Sequence, residues 1–326
     1  MIKVLCGVPE KDFARYSVQL PEVLEVQHTV YEEKAMIDSL DGAECILTNS
    51  KTPLYIGKAI IDAGTNLKMI QTTGIGYDKI DIVYAAEKGI LVCNNKGVNS
   101  AAVAEHTVGL ILACLRRTVW TTNEVLAGRF RECSAIYQSA GCNELSSRRV
   151  GLIGIGDIGS QVARRLRAFG CEICYNAIPR LASAEEAELG VKYLSFDELI
   201  SSCNVISVHV PLLDSTRRLL KKEHFDAMPQ GAVFINCSRG EVVDNRALCA
   251  ALESGHLAAA GIDVFDGETP DSSDPLLNLS PEAGRRLTLS PHVAGFTDQT
   301  FRRQLVWALE NIARLENGGK PERIVN

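Results

Sequence analysis

Aromatic residues are scarce in this chain, 6% of 326 residues with two tryptophans, and long apolar runs are missing. The longest run, 108–115, covers eight residues. A membrane-spanning helix needs about 20, so no membrane span is expected. Basic charge is not in excess either: Lys and Arg number 34 against 40 Asp and Glu, a net charge of −6. Nucleic-acid binding by bulk electrostatics is therefore not expected. The opening MIKVLCGVPEKD has one lysine before a short apolar stretch that Pro9 ends. It lacks the longer apolar region of a secretory signal, and a cytoplasmic location is expected. Low-complexity segments and short repeats are absent.

What is present is ordinary globular composition, 46% hydrophobic and 23% charged. That much apolar surface excludes disorder as the main state. At roughly 150 residues per domain, the length fits two domains. Eleven cysteines, an odd number, lie mostly in apolar segments such as AECILT and LILACLRR. There they act as small hydrophobes, kept reduced in a cytosol. Cys171 and Cys174 have CxxC spacing, but they lie in a predicted strand, EICYN with its preceding residue. Residues three apart on a strand point to opposite faces, so no metal or redox site is assigned.

Two α/β blocks follow one another. In the first, 2–8, 43–49, 67–73 and 90–95 read as short buried strands. Helical segments such as EKAMIDSL and DIVYAAEKG separate them, an alternation that implies a parallel sheet. Asn99 or Ser100 then caps a long apolar helix, AAVAEHTVGLILACLRR, with arginines at its C-terminal end. The second block opens at Arg149. Its strands are VGLIGIG, EICYN, VISVHVPL, AVFINCS, AAAGIDVF and RLTLSPH, with helices between most of them. This is the pattern of a doubly wound dinucleotide-binding domain. The closing helix, TDQTFRRQLVWALENIARLENGG, is predicted to cross back to the first block. It and the helix from about residue 100 would then link the domains and frame a cleft.

The chemistry clusters at strand ends. Gly154, Gly156 and Gly159, with Asp157 and Ile158 between them, form GxGxxG after a strand and at the start of a helix. In that context the glycines allow a tight turn and close approach of a pyrophosphate, which the helix N-terminus attracts. About 20 residues on, an acidic side chain normally takes the ribose hydroxyl of NAD. Asn176 stands there, with Arg180 near enough to pair with a 2′-phosphate. NAD and NADP both remain open, with NADP slightly favoured. Arg239, in NCSRG, ends another strand and is suited to fork onto a carboxylate. Asp263 and Glu268 follow the next strand, and His292, in SPHVAG, follows the last. A histidine held by a carboxylate is the usual acid/base pair near neutral pH.

These residues carry a family resemblance over nearly the whole chain. It runs through TGIGYD at 73–78, NSAAVAEHTVGLIL, VGLIGIGDIGS, HVPL, INCSRGEVVD, GIDVFDGETP and SPHVAGFT. The sequence resembles the D-isomer-specific 2-hydroxyacid dehydrogenases, the family of glycerate, hydroxypyruvate, phosphoglycerate and D-lactate dehydrogenases. The resemblance implies two doubly wound parallel-sheet domains, a Rossmann cofactor domain (99–293) inserted in a flavodoxin-like substrate domain (1–98 and 294–326). It implies Arg239, Glu268 and His292 as catalytic residues. Ile75 and Gly76 would bind the substrate carboxylate through backbone amides, and Asp263 would hold the nicotinamide amide. Val103, Gly154, Gly156, Ile158, His209, Pro211, Thr216 and Cys237 would line the cofactor. A homodimer is implied as well. Asn176 departs from the family's usual Asp, and Arg129-Phe130 from a common Gly-x-Trp.

The implied reaction moves a hydride between NAD(P)H and the keto carbon of a small 2-oxo acid. Arg239 orients the acid and His292 exchanges the proton, kept charged near neutral pH by Glu268. Glu268 argues against a formate dehydrogenase, which uses glutamine beside its histidine. The end at Asn326 implies no appended regulatory domain. An NAD(H)-sensing corepressor of the same fold, and a phosphite dehydrogenase, are the alternative readings. Selectivity for the substrate side chain is expected to depend on Ser50-Lys51-Thr52 and Ile75, with Lys51 read as a solvated loop lysine.

Overall fold

The computed structural model describes residues 1–49, 52–267 and 269–326, without the side chains of Ala140 and Asn317. The expectations for Ser50, Lys51 and Glu268 lie outside the described residues. The chain divides into two compact units, Met1–Asn99 with Phe296–Asn326, and Ser100–Gly295.

The first unit holds a five-stranded parallel sheet of β1 (Ile2–Cys6), β2 (Leu24–His28), β3 (Cys45–Thr48), β4 (Met69–Thr72) and β5 (Leu91–Cys93). Their order is β2-β1-β3-β4-β5, the flavodoxin-like order of doubly wound sheets. β3 and β4 are buried at every position, as expected of central parallel strands covered on both faces. On one face Val4, Cys6, Cys45 and Met69 pack with Leu305, Ala308, Leu309 and Ile312. Those last four belong to the helix Asp298–Ala313. On the other face Leu5, Ile46 and Ile70 pack with Met36, Ile60 and Ile61. The buried Asn311 amide donates to Gln71 at 2.7 Å, which ties that helix to β4 through a satisfied polar pair. β2 was not expected from the sequence. It is an edge strand with the inward side of Leu24 buried and Glu25 and Gln27 exposed, so it lacks the continuous apolar run of its neighbours.

The second unit holds a seven-stranded parallel sheet. Its strands are β6 (Arg149–Ile153), β7 (Glu172–Asn176), β8 (Lys192–Tyr193), β9 (Val205–Val208), β10 (Ala232–Asn236), β11 (Leu257–Ile262) and β12 (Leu287–Leu289). The order is β12-β11-β10-β9-β6-β7-β8, so the winding reverses between β6 and β9, where such sheets bind ligands. The helix Ser100–Arg116 covers one face, burying Val103, Leu110, Ile111 and Cys114 against β6, β10 and β11 residues. Two further helices, Thr118–Leu126 and Phe130–Ala140, follow it. Cys174 of β7 lies against the Cys203 thiol. Among the described residues no helix is long and apolar enough to cross a membrane.

Candidate active site

The parallel sheet of the second unit sends the candidate residues to one edge. Gly154 follows β6, Asn176 ends β7, and His209 follows β9. Cys237 follows β10, Asp263 follows β11, and Ser290 follows β12 two residues before His292. Backbone bonds fasten these ends together. The Gly154 N–H donates to the Asn176 carbonyl at 2.8 Å, and the His209 N–H to the Ile153 carbonyl at 2.7 Å.

The glycine loop has the shape a dinucleotide needs. Gly154 sits at φ +97°, a left-handed conformation, and a Cβ there would lie 2.8 Å from the His209 carbonyl group. A Cβ at Gly159 would lie 2.3 Å from the Gly154 oxygen. Both positions thus exclude any side chain by close packing. At Gly156 a Cβ would meet nothing within 4 Å. Gly156 is exposed, directly ahead of the helix Asp157–Arg167. Open space over a helix N-terminus is where a pyrophosphate fits. Asp157 is exposed and Ile158 half-buried on that first turn.

Around this loop stand the other cofactor candidates. The Thr216 hydroxyl donates to the Pro211 carbonyl at 2.6 Å and accepts from the Leu213 N–H, which pins the turn that carries Pro211. Thr107 bonds both the Val103 carbonyl and the Cys237 thiol, so Val103 and Cys237 form one cluster. Burial pushes that thiol up to about 12, which leaves Cys237 a neutral wall. His209 bonds Ser207 through Nε2 at 2.9 Å. Its Nδ1 is buried without a partner among the described residues. Burial pushes the imidazole down to about 4, so it is neutral near pH 7.

Asp263 is fully buried. Its carboxylate accepts the Ser290 hydroxyl at 2.5 Å and the Val293 and Ala294 N–H groups at 3.0 Å. His106 Nε2 reaches the same Ser290 hydroxyl at 2.9 Å. His292 has φ +53°, a left-handed conformation that costs an ordinary residue roughly 1–2 kcal/mol. Its N–H is held by the Asp263 and Ser290 carbonyls. Arg239 is exposed. Asn236 donates to its carbonyl at 2.9 Å, and its own Nη1 donates to Ser238 at 2.8 Å. A Cβ at Gly240 would lie 2.1 Å from the Phe265 carbonyl carbon. That close approach sets the Arg239 turn against the chain that leaves β11. Arg239, Asp263 and His292 therefore leave three neighbouring strands, β10, β11 and β12, at one edge.

In the first unit Ile75 and Gly76 follow β4. Asn94 donates to the Ile75 carbonyl at 2.9 Å and Thr72 to the Gly76 carbonyl at 3.2 Å. The N–H groups of Ile75 and Gly76 have no acceptor among the described residues.

Arg180 is not the free cation that a 2′-phosphate reading needs. Its guanidinium forks onto Glu186, with Nε at 2.8 Å and Nη2 at 3.0 Å. Asn176 donates its amide to the Leu194 carbonyl at 2.9 Å. Glu186, Ser290, Thr107 and Asn236 are supporting residues the sequence analysis did not single out. Ser290 in SPH and Asn236 in NCSRG had a local signal, their places at strand ends. The contacts of Thr107 with Val103 and of Glu186 with Arg180 are also close in sequence, but no motif announces them.

A family model described as "D-isomer specific 2-hydroxyacid dehydrogenase, NAD binding domain" matches residues 108–294. The chain is 35% identical over 286 residues to a glyoxylate reductase of Thermofilum pendens, covering 88% of this chain and 81% of that protein. It is 34% identical to a hydroxypyruvate reductase of Thermotoga maritima, covering 89% and 90%. A D-lactate dehydrogenase of Aquifex aeolicus, solved with NAD and lactic acid, superposes with a TM-score of 0.76 at 28% identity, covering 97% and 96%. The chain belongs to the D-isomer-specific 2-hydroxyacid dehydrogenases. It is an NAD-binding oxidoreductase that transfers a hydride between its cofactor and a 2-oxo or 2-hydroxy acid.

Proposed function

We propose that this enzyme reduces small 2-oxo acids of the glyoxylate and hydroxypyruvate type, with NADH as the preferred donor. The observation that carries the reading is the convergence of Arg239, Asp263 and His292 at one sheet edge beside the glycine loop. The substrate class is supported by the two reductases to which the chain is similar.

The unit 100–295 is the cofactor unit in this reading, and the other supplies the substrate loop. The bound cofactor supplies a hydride from its nicotinamide. The buried Asp263 carboxylate would act on the nicotinamide end through the 290–294 loop that it holds, since its oxygens are taken by Ser290, Val293 and Ala294. Arg239 orients the keto acid and polarises its carbonyl by charge-assisted hydrogen bonds. The N–H groups of Ile75 and Gly76 take the substrate carboxylate. His292 gives a proton to the developing alkoxide, and Glu268 is its carboxylate partner. Acid catalysis of this kind contributes about 10²–10⁴ in rate. The preference for NADH over NADPH rests on the Arg180–Glu186 pair. This reverses the slight lean toward NADP from Asn176 and Arg180 in the sequence.

A homodimer completes the reading. Leu126 is 81% and Phe130 66% exposed, and Val119, Val125 and Ile136 of the same two helices are exposed as well. A second copy of this apolar face is the partner that would cover it. Sedimentation of the parent and of Phe130→Asp tests that assignment, a dimer being expected only for the parent.

A panel of glyoxylate, hydroxypyruvate and pyruvate, assayed with NADH and with NADPH, tests the function. Glyoxylate or hydroxypyruvate with NADH is expected to give the highest kcat/KM. Binding of NADH without turnover of any 2-oxo acid would instead support the corepressor-like alternative.

A further inference from the structure

The loop after β7 holds a charged cluster that no catalytic role uses. Glu186, on the helix Ser183–Leu189, has a side chain only 15% exposed. It accepts both arms of the Arg180 fork and the Tyr175 hydroxyl at 2.7 Å. That hydroxyl in turn accepts the Leu181 N–H at 3.0 Å. The Arg180 guanidinium also lies over the Tyr193 ring, 4.7 Å from its centre. A carboxylate in the guanidinium plane and an aromatic face beneath it fix Arg180 from two directions. Asn176, four residues earlier, has donated its amide to Leu194, so Oδ1 is what it offers a ribose hydroxyl.

We propose that Glu186 is a specificity-determining residue that keeps Arg180 engaged and thereby selects NADH over NADPH. The inference rests on the reading of this unit as the dinucleotide site. A 2′-phosphate arriving here would need Arg180 as its counter-charge. Recruiting Arg180 breaks two charge-assisted hydrogen bonds and leaves Glu186 facing a dianion. Hydrogen bonds from Arg180 and Tyr175 hold the Glu186 carboxyl at about 2 while the pair is intact, and an ordinary carboxyl is still ionised near neutral pH once Arg180 leaves. A ribose with a free 2′-hydroxyl asks nothing of Arg180 and meets only the Asn176 oxygen.

Calorimetric titration with AMP and with adenosine 2′,5′-bisphosphate reads this without turnover. Glu186→Gln keeps an acceptor for Tyr175 and removes the charge. It is expected to tighten the bisphosphate at least about tenfold, roughly 1.4 kcal/mol, with AMP unchanged within about twofold. Adding Arg180→Ala to that variant should abolish the gain. Arg180→Ala alone should not tighten the bisphosphate, because it leaves the Glu186 carboxylate unpaired. If Glu186→Gln binds AMP normally but gains nothing for the bisphosphate, the proposal is wrong. A parent that binds the bisphosphate as tightly as AMP, or more tightly, overturns it too, even should Glu186→Gln fail to fold, because Arg180 would then already serve the phosphate. A parent that binds neither nucleotide would overturn the dinucleotide reading itself, and this inference with it.

Discussion

Asp263 holds His292 by its backbone and not by its carboxylate. The Asp263 carbonyl accepts the His292 N–H at 2.7 Å, whereas the carboxylate is taken up by Ser290, Val293 and Ala294. One residue therefore sets the left-handed turn at His292 and, through its side chain, closes the loop that follows. The folding of 290–294 and the placing of His292 are the same event.

Asp263→Asn should for that reason be a stability variant. The new amide nitrogen must face a buried donor, Val293 or Ala294, and a buried unsatisfied donor costs about 1–3 kcal/mol. Urea unfolding should show a loss of that size. A midpoint equal to the parent's would mean the carboxylate does not organise this loop.

Gly156→Ala and Gly159→Ala should separate binding from packing. The first adds a methyl into open space at the helix N-terminus. It is expected to weaken NADH at least about tenfold while the melting temperature stays within about 2 °C. The second drives a methyl into the Gly154 oxygen and should destabilise by about 1–3 kcal/mol. Equal melting temperatures for the two would contradict the loop geometry.

Arg239→Ala should lower kcat/KM for 2-oxo acids by about 10² or more, since a forked pair of charge-assisted bonds is lost. NADH affinity, read by fluorescence titration, should change little, because in the proposed reading Arg239 meets the substrate and not the cofactor. Retained kcat/KM on every acid that the parent reduces would remove Arg239 from the substrate site.

His209 makes stability depend on pH. Its folded imidazole titrates at about 4 against an ordinary 6.5. Below 6.5 the unfolded chain takes up a proton that the folded one refuses. Stability is thus full above about pH 6.5 and is lost as pH falls toward 4, by about 1–2 kcal/mol between pH 7 and 5. Denaturant titrations at those two pH values should show the loss in the parent and a smaller one in His209→Asn. The same slope in both would assign the effect to other groups.

The strands that the sequence makes legible are those covered on both faces. β3, β4, β6, β9 and β10 are mostly apolar and buried at all or nearly all positions, and announce themselves. β2 and β8 lie at sheet edges, and of their residues Leu24 alone is buried. The helices Thr118–Leu126 and Phe130–Ala140 leave much of their apolar residue content exposed, so they give no core stripe to read. In the site, everything contiguous with a strand end was visible, from the glycine loop to SPH. What was not visible is side-chain pairing that no motif announces, across nineteen residues for Asn94 on Ile75 and across six for Glu186 on Arg180. Arg180 shows the consequence. Its proximity to a ribose was inferred from spacing alone, and its carboxylate partner depends on where a separate helix docks.

The tail of the chain seals the open side of β5. Val325 donates to the Val92 carbonyl, and the Asn326 side chain accepts the Val92 N–H. Both outward hydrogen-bonding groups of Val92 are thereby occupied, and a strand edge is otherwise a template for another chain. On the ribosome, however, β5 emerges more than two hundred residues before its seal. The unit 100–295 is continuous and can fold as it is made, while the first unit waits for the helix Asp298–Ala313 and the last two residues. During that interval the nascent chain carries an unprotected edge and an uncovered sheet face. The period of greatest exposure to misassembly thus falls in synthesis, and it belongs to the unit built from both ends of the chain.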